Sequence, residues 1–270
     1  MSDSPPASAG SGLRAAVTRR LAHPLTRGLA LDDPRTTEVR KRIVREKPFL
    51  RRIYEEWYAA IVADVPDGAG DVLELGSGAG FLDEMIPSLI SSEVFFVPGV
   101  RVVLDAAALP FGERQLKAVV MTDVLHHIPR VADFLEEAAR CVRTHGVVSM
   151  VEPWVTGWSR FVYSTLHHEP FRPDAVDWSF PSAGPLSGAN GALPWILFER
   201  DRARFEREFP QWKIERVRPF MPFRYLISGG VSLRALAPAW TYRAFRALEA
   251  ALRPAARATA MFAHVTLRRS

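Results

Sequence analysis

The chain has 270 residues, 48% of them hydrophobic, enough to bury one large core, and a single cysteine, Cys141, which excludes an intramolecular disulfide and suits a reducing compartment. No apolar run approaches the ~18 residues of a membrane span, so a cytoplasmic protein is expected. Net charge is +5 and the pI near 9.7, but only four of the 35 basic residues are Lys. That imbalance fits an Arg-rich composition bias better than a binding footprint, and no nucleic-acid partner is expected.

Residues 1–35 are dominated by Ser, Pro, Gly and Ala and read as a disordered or loosely attached tail. Arg19 and Arg20 precede "LAHPLTRG", which lacks the apolar stretch of a signal peptide. Residues 36–66 read as a helical cap: Val39 and Ile43, then Leu50, Ile53, Trp57 and Ile61, recur at helical spacing, and Pro48 divides two helices.

Residues 67–270 form the main unit. Strands are predicted at "VLEL", "LISSEV", "VRVVLD", "AVVMTD" and "VVSMVE", with a clear helix at "VADFLEEAARCV". This alternation predicts an α/β fold with a mostly parallel, doubly wound sheet over residues 70–153. From Gly80 to Asp105 there is room for fewer elements than helix, strand, helix and strand require, so one helix is expected to be missing between the second and third strands. Residues 154–210 are rich in Pro and aromatics and read as an elaboration. Residues 211–270 hold two closing strands, "WKIERVRPF" and "AMFAHVTLRR", around an amphipathic helix that sets Trp240, Ala244, Leu248 and Leu252 on one stripe. Such a stripe packs on the sheet or makes a weak membrane-surface contact.

The first strand ends in "VLELGSGAGF". A strand that stops at glycines and turns straight into a helix brings backbone N–H groups close to a ligand. The dinucleotide fingerprint G-x-G-x-x-G would need glycine where Phe81 stands, so NAD is disfavoured. A plain tight turn explains three glycines equally simply; the remaining motifs decide. "VLELGSGAGF", "VVLDAAALPF", "AVVMTDVLHHIP" and "FLEEAARCVRTHGVVSMVEPW", in that order, resemble the class I S-adenosylmethionine-dependent methyltransferases of the type 11 small-molecule group.

The resemblance implies a Rossmann-like sheet with an N-terminal helical cap and C-terminal insertions, binding S-adenosylmethionine. It implies that Gly76, Gly78 and Gly80 floor the methionine part of the cofactor, and that Glu74 holds the loop or approaches the amino group. Asp105 and the backbone of Ala106 would meet the adenine, Glu93 the ribose hydroxyls, and Asp123 the methionine side. "RTHG" at 143–146 departs from the family's usual Pro-Gly-Gly turn, away from the chemistry.

Methyl transfer from a sulfonium needs alignment and exclusion of water, and no metal is expected. A hydroxyl or acidic carbon acceptor must lose a proton, which makes His126, His127, His167 and His168 the candidate bases. His167, His168 and Glu169 lack the spacing of a metal site, because neighbours in sequence diverge on a helix. The place that carries an Asn/Asp-Pro-Pro-aromatic motif in many base N-methylating relatives reads "TDVLHH" here. The expected acceptor is therefore oxygen or carbon of a small, hydrophobic molecule, with Trp154, Trp158, Phe161, Tyr163, Trp178 and Trp195 as candidate pocket cover. The rival readings are a non-catalytic cofactor-binding scaffold or sensor and, suggested by the pI, an RNA methyltransferase. The oligomeric state is not readable from the sequence.

Overall fold

The computed structural model describes residues 21–26, 33–166, 169–182, 184 and 188–270. Most of the tail expectation for residues 1–35, and the histidines His167 and His168, lie outside these. Residues 21–26 are nonetheless tied down: Ala22 bridges Leu233, and the His23 N–H donates to the Ser232 carbonyl at 2.9 Å.

Helices α1 (Pro34–Glu46) and α2 (Pro48–Val62) form the cap, divided at Lys47 as Pro48 requires. Asp33 caps α1 by accepting from the Arg35 N–H. The strands β1 (Asp71–Leu75), β2 (Ile90–Glu93), β3 (Val102–Val103), β4 (Leu116–Thr122), β5 (Val142–Pro153), β6 (Trp212–Phe220) and β7 (Phe262–Arg269) form one sheet in the order β3-β2-β1-β4-β5-β7-β6. Only β7 runs against its neighbours. Helix α3 (Val131–Cys141) leads into β5. The elaboration holds α4 (Gly157–Leu166) and α5 (Arg202–Glu208), and α6 (Arg224–Ser228) and α7 (Tyr242–Ala251) lie between β6 and β7.

The expected helix after the glycines is not there. Between residues 62 and 131 no α-helix forms; 3-10 turns at Ser77–Ala79 and Leu82–Glu84 carry the chain from β1 to β2, and the stretch from β2 to β3 is a turn, as the spacing predicted. Residues 76–89 hold only these short turns, and Pro87 bars a helix from running on toward β2. The sheet therefore lacks its usual cover on that side.

The cap supplies it. Alternation along the strands divides the core in two. Leu73, Val119, Met121, Val148 and Met150 face α3 and the elaboration. Val72, Ala118, Val120, Val147 and Val151 face the cap, where Trp57 and Tyr58 of α2 pack with Phe81 and Phe262. Asp64, just past α2, anchors this packing. Its carboxylate accepts from Ser149 of β5 (2.8 Å) and Thr266 of β7 (2.7 Å), and pairs with His264 and Arg216.

The aromatic elaboration packs differently from expectation. Trp154 and Trp178 are buried in the α3-side core, with Trp195 packed against it, and Phe161 is exposed. Trp158 donates its indole N–H to the Pro222 carbonyl. The stripe on α7 points outward: Trp240 is 81% exposed and Leu248 48%, while Tyr242 and Glu249 face inward. No helix among the described residues is long and apolar enough to cross a membrane.

Candidate functional site

Strand order reverses between β1 and β4, and in open α/β sheets ligands bind beyond the C-terminal strand ends at such a point. A cavity of about 830 Å³ opens there, within the size range of small-molecule sites. Its walls come from four strand ends, from Ala22 and Thr26 near the start of the described residues, and from the segment Tyr225–Leu233 with Met261 before β7.

Gly76 ends β1 in the left-handed region (φ 69°), and a Cβ there would lie 2.4 Å from a Val124 methyl carbon. The loops after β1 and β4 can approach this closely only because residue 76 is glycine. Asp123, at the end of β4, is itself left-handed (φ 62°), an uncommon state for a residue with a side chain and one that clusters at functional sites. It turns the chain so that the N–H groups of Val124 and Leu125 point at Glu152.

Gly76 and Ala79 line the cavity, whereas Gly78 and Gly80 lie beneath its floor. The Gly78 N–H donates to Oε1 of Glu93 at 3.0 Å, and a Cβ on Gly78 would meet Thr37 of α1 at 2.3 Å. Glu93 stands on the cavity wall; burial raises its carboxyl, against the lowering effect of the Gly78 and Val94 amides. Glu74 is inside the protein rather than on the wall, and burial pushes its carboxyl up to about 7. Asp105 and Ala106 reach the mouth. Asp105 is exposed, accepts from the Ala107 N–H at 2.8 Å and faces Arg130 at 3.5 Å. Asp123 is on the wall, its carboxyl pushed up to about 6 by burial.

The histidines after β4 join carboxylates from two other segments. Glu152 of β5 is fully buried; its Oε1 accepts from the Val124 N–H (2.8 Å) and the Leu125 N–H (2.7 Å), and its Oε2 holds Nδ1 of His126 at 2.8 Å. Glu169 approaches from the elaboration, 3.4 Å from His126 Nε2 and 3.8 Å from His127 Nε2. Burial alone would lower His126, yet the two carboxylates hold it well above the ordinary histidine range. Burial, reinforced by the neighbouring His126, takes His127 down to about 4. His127 and Glu169 line the cavity, and His126 sits behind them.

Sequence reasoning missed several wall residues. Arg40 of α1 lines the cavity and has no ion pair with a described residue. Tyr54, Tyr163, Tyr225 and Met261 line it too, and of the aromatics proposed as cover only Tyr163 does so. Glu152 could have been found, since it ends a central parallel strand, where site residues concentrate. Arg40 gave no signal, because its role depends on how the cap docks.

Residues 91–150, from β2 through most of β5, match the family described as Methyltransferase domain, type 11. Similar solved structures include a geranyl diphosphate C-methyltransferase from Streptomyces coelicolor A3(2), 13% identical, with 98% of this chain and 100% of that one covered at a TM-score of 0.48. Another is an S-adenosylmethionine-dependent methyltransferase from Mesorhizobium loti, 15% identical, with 78% and 96% covered at 0.46. No curated protein matches the sequence.

Proposed function

We propose that the chain is a class I S-adenosylmethionine-dependent methyltransferase of the type 11 group, as the family match over residues 91–150 supports, and that it methylates oxygen or carbon of a small, hydrophobic acceptor. The observation that carries this is the cavity at the strand-order reversal, on whose wall the glycine loop, Glu93, His127 and Glu169 meet, with His126 behind them.

The residues present fit the cofactor. Gly76 and Ala79 line the floor, where a Cβ at Gly76 would strike Val124 of the facing loop, and Glu93, held by the Gly78 N–H, offers a carboxylate to the ribose hydroxyls. Asp105 and the backbone of Ala106 are at the mouth for the adenine. Asp123 lines the methionine side, and Arg40 offers a guanidinium to the amino-acid carboxylate. S-adenosylmethionine, when bound, supplies an electrophilic methyl group on a sulfonium. The chain's own work is alignment and exclusion of water.

On the acceptor side Tyr54, Val162, Tyr163, Tyr225, Leu226 and Met261 make a largely apolar wall. It suits a small hydrophobic molecule better than a nucleic-acid strand, which would need a basic groove. Of the candidate bases, His126 and His127 are the two that stand at or behind the acceptor side of the cavity. As free bases both are ill-suited: His126 is held charged between two carboxylates, and His127 resists protonation.

Calorimetric titration with S-adenosylmethionine and S-adenosylhomocysteine, with NAD as control, tests the reading. Micromolar binding of the two sulfur compounds alone is expected. Absence of binding would overturn it in favour of a non-catalytic scaffold.

A further inference from the structure

The acceptor-side cluster has an arrangement that proton transfer does not need. His127 Nδ1 lies 3.1 Å from the carbonyl of Gly188, which can only accept, so Nδ1 carries the proton and the neutral ring turns its Nε2 lone pair toward Glu169. His126 is oriented in the same sense. Its Nδ1 faces Glu152 Oε2, and Glu152 is locked by two backbone N–H donors. Each ring is thus anchored through Nδ1 to a fixed acceptor and presents Nε2 to the same carboxylate.

This is the support that metal-binding histidines receive from the groups around them, the distal nitrogen tied to a carboxylate or backbone carbonyl. The distances agree. Ligands about 2.1 Å from a tetrahedral ion lie about 3.4 Å apart; Glu169 is 3.4 Å and 3.8 Å from the two Nε2 atoms, and all three ligand atoms lie within 4.8 Å of one another. His126 and His127 are neighbours in the loop after β4 and Glu169 comes from the elaboration, and His127 and Glu169 form part of the cavity wall.

We propose that His126 Nε2, His127 Nε2 and Glu169 bind a divalent transition-metal ion whose remaining coordination positions open into the cavity and take an oxygen donor of the methyl acceptor. Two imidazoles and one carboxylate suit zinc, cobalt, iron or manganese rather than magnesium or calcium, which prefer all-oxygen sets. Coordination of an acceptor hydroxyl weakens its O–H bond; the proton leaves to solvent and the oxygen stays on the ion as the nucleophile. This part rests on the cavity being the acceptor site. The ion site itself does not.

The test uses the untagged full chain, freed of metal by chelator and titrated with Co²⁺ and then Zn²⁺. One equivalent of Co²⁺ should give the intense visible absorption of a four- or five-coordinate ion, and Zn²⁺ should displace it. His126→Ala, His127→Gln and Glu169→Gln should each weaken Co²⁺ binding at least tenfold, and His145→Ala, at an exposed histidine, should not. S-adenosylhomocysteine affinity, measured on the same samples, reports folding and tests the cofactor reading separately. Wild-type protein that binds S-adenosylhomocysteine while Co²⁺ keeps its aqueous spectrum overturns the metal site alone. Undiminished Co²⁺ affinity in all three variants would overturn it as well.

Discussion

Arg40 is a guanidinium on the wall of a cavity that also carries Glu93, Asp123 and Glu169. If it holds the cofactor's amino-acid carboxylate, its loss should matter only for ligands that possess one. Arg40→Met is expected to weaken S-adenosylhomocysteine binding about tenfold or more, the scale of a charge-assisted hydrogen bond. Binding of 5′-methylthioadenosine, which lacks the carboxylate, should be unchanged, and calorimetry with both ligands separates the outcomes. An equal loss for the two would move Arg40 from the site to the scaffold. Glu74 gives a second prediction at this scale. Burial raises its carboxyl to about 7, so between pH 4.5 and 7 the folded protein keeps a proton that the unfolded chain has lost, and stability falls as pH rises. Glu74→Gln removes that dependence. At pH 8 it should be more stable than wild type by up to about 3 kcal/mol, with the difference disappearing by pH 4 in urea titrations. Gly76, Glu93, Asp105 and Asp123 reach the cavity because they stand at or just past strand ends, a placement that the strand pattern signals in the sequence. The identity of their neighbours was not legible, because Thr37 and Arg40 reach the loop from a helix outside the strand repeat.

The cap helices take over the cover that helices between β1 and β4 would otherwise provide, and polar contacts such as Glu56 with Arg224 and Arg246 add to the apolar packing that attaches them. Asp64 is the chief one, 5% exposed and shared by Ser149, Thr266, His264 and Arg216. Burial opposes its ionisation, yet the hydrogen bonds from His264, Thr266 and Ser149 hold its carboxyl well below the usual range. Its stabilising effect is therefore complete above about pH 4, where the unfolded chain is also ionised, and disappears as pH falls through the folded value. Asp64→Asn should cost roughly 3 kcal/mol at pH 7, as removal of one partner from a buried charged network does, and the gap to wild type should narrow in acid. Urea titrations at pH 7 and pH 3 measure both. Element types were well marked in sequence where periodicity was long: α2, α3 and β6 fall where Ile53 and Trp57, Phe134 and Leu135, and "WKIERVRPF" put them. The expected third strand "VRVVLD" shrinks to Val102–Val103, an edge with one neighbour, because apolar residues alone do not extend a strand that lacks a second partner. The helix expected after Gly80 is replaced by 3-10 turns; the residue count from Gly80 to Asp105 signalled one missing helix, between the second and third strands, and not this one.

At the scale of the whole molecule, the mostly parallel sheet and its switch point follow from the alternation of elements in residues 70–153. What could not be read is the closing of the cavity, since it joins segments from opposite ends of the chain. Lys47, buried between α1 and α2, donates to the carbonyls of Gly230 at 2.6 Å and Leu233 at 2.9 Å, and Ala22 pairs with Leu233. The consequence lies in biosynthesis. Asp64 meets partners 85 and 202 residues downstream, and Lys47 meets partners 183 and 186 residues downstream. The cap precedes the sheet in sequence, and although β1, β4 and β5 offer it a face earlier, its contacts to Phe262 and Thr266 arrive only with β7. Such long-range closures are slow. The cap therefore stays partly uncovered until β7 is made, making the nascent chain a substrate for chaperones, and the cavity, which Met261 helps to line, is completed late in folding.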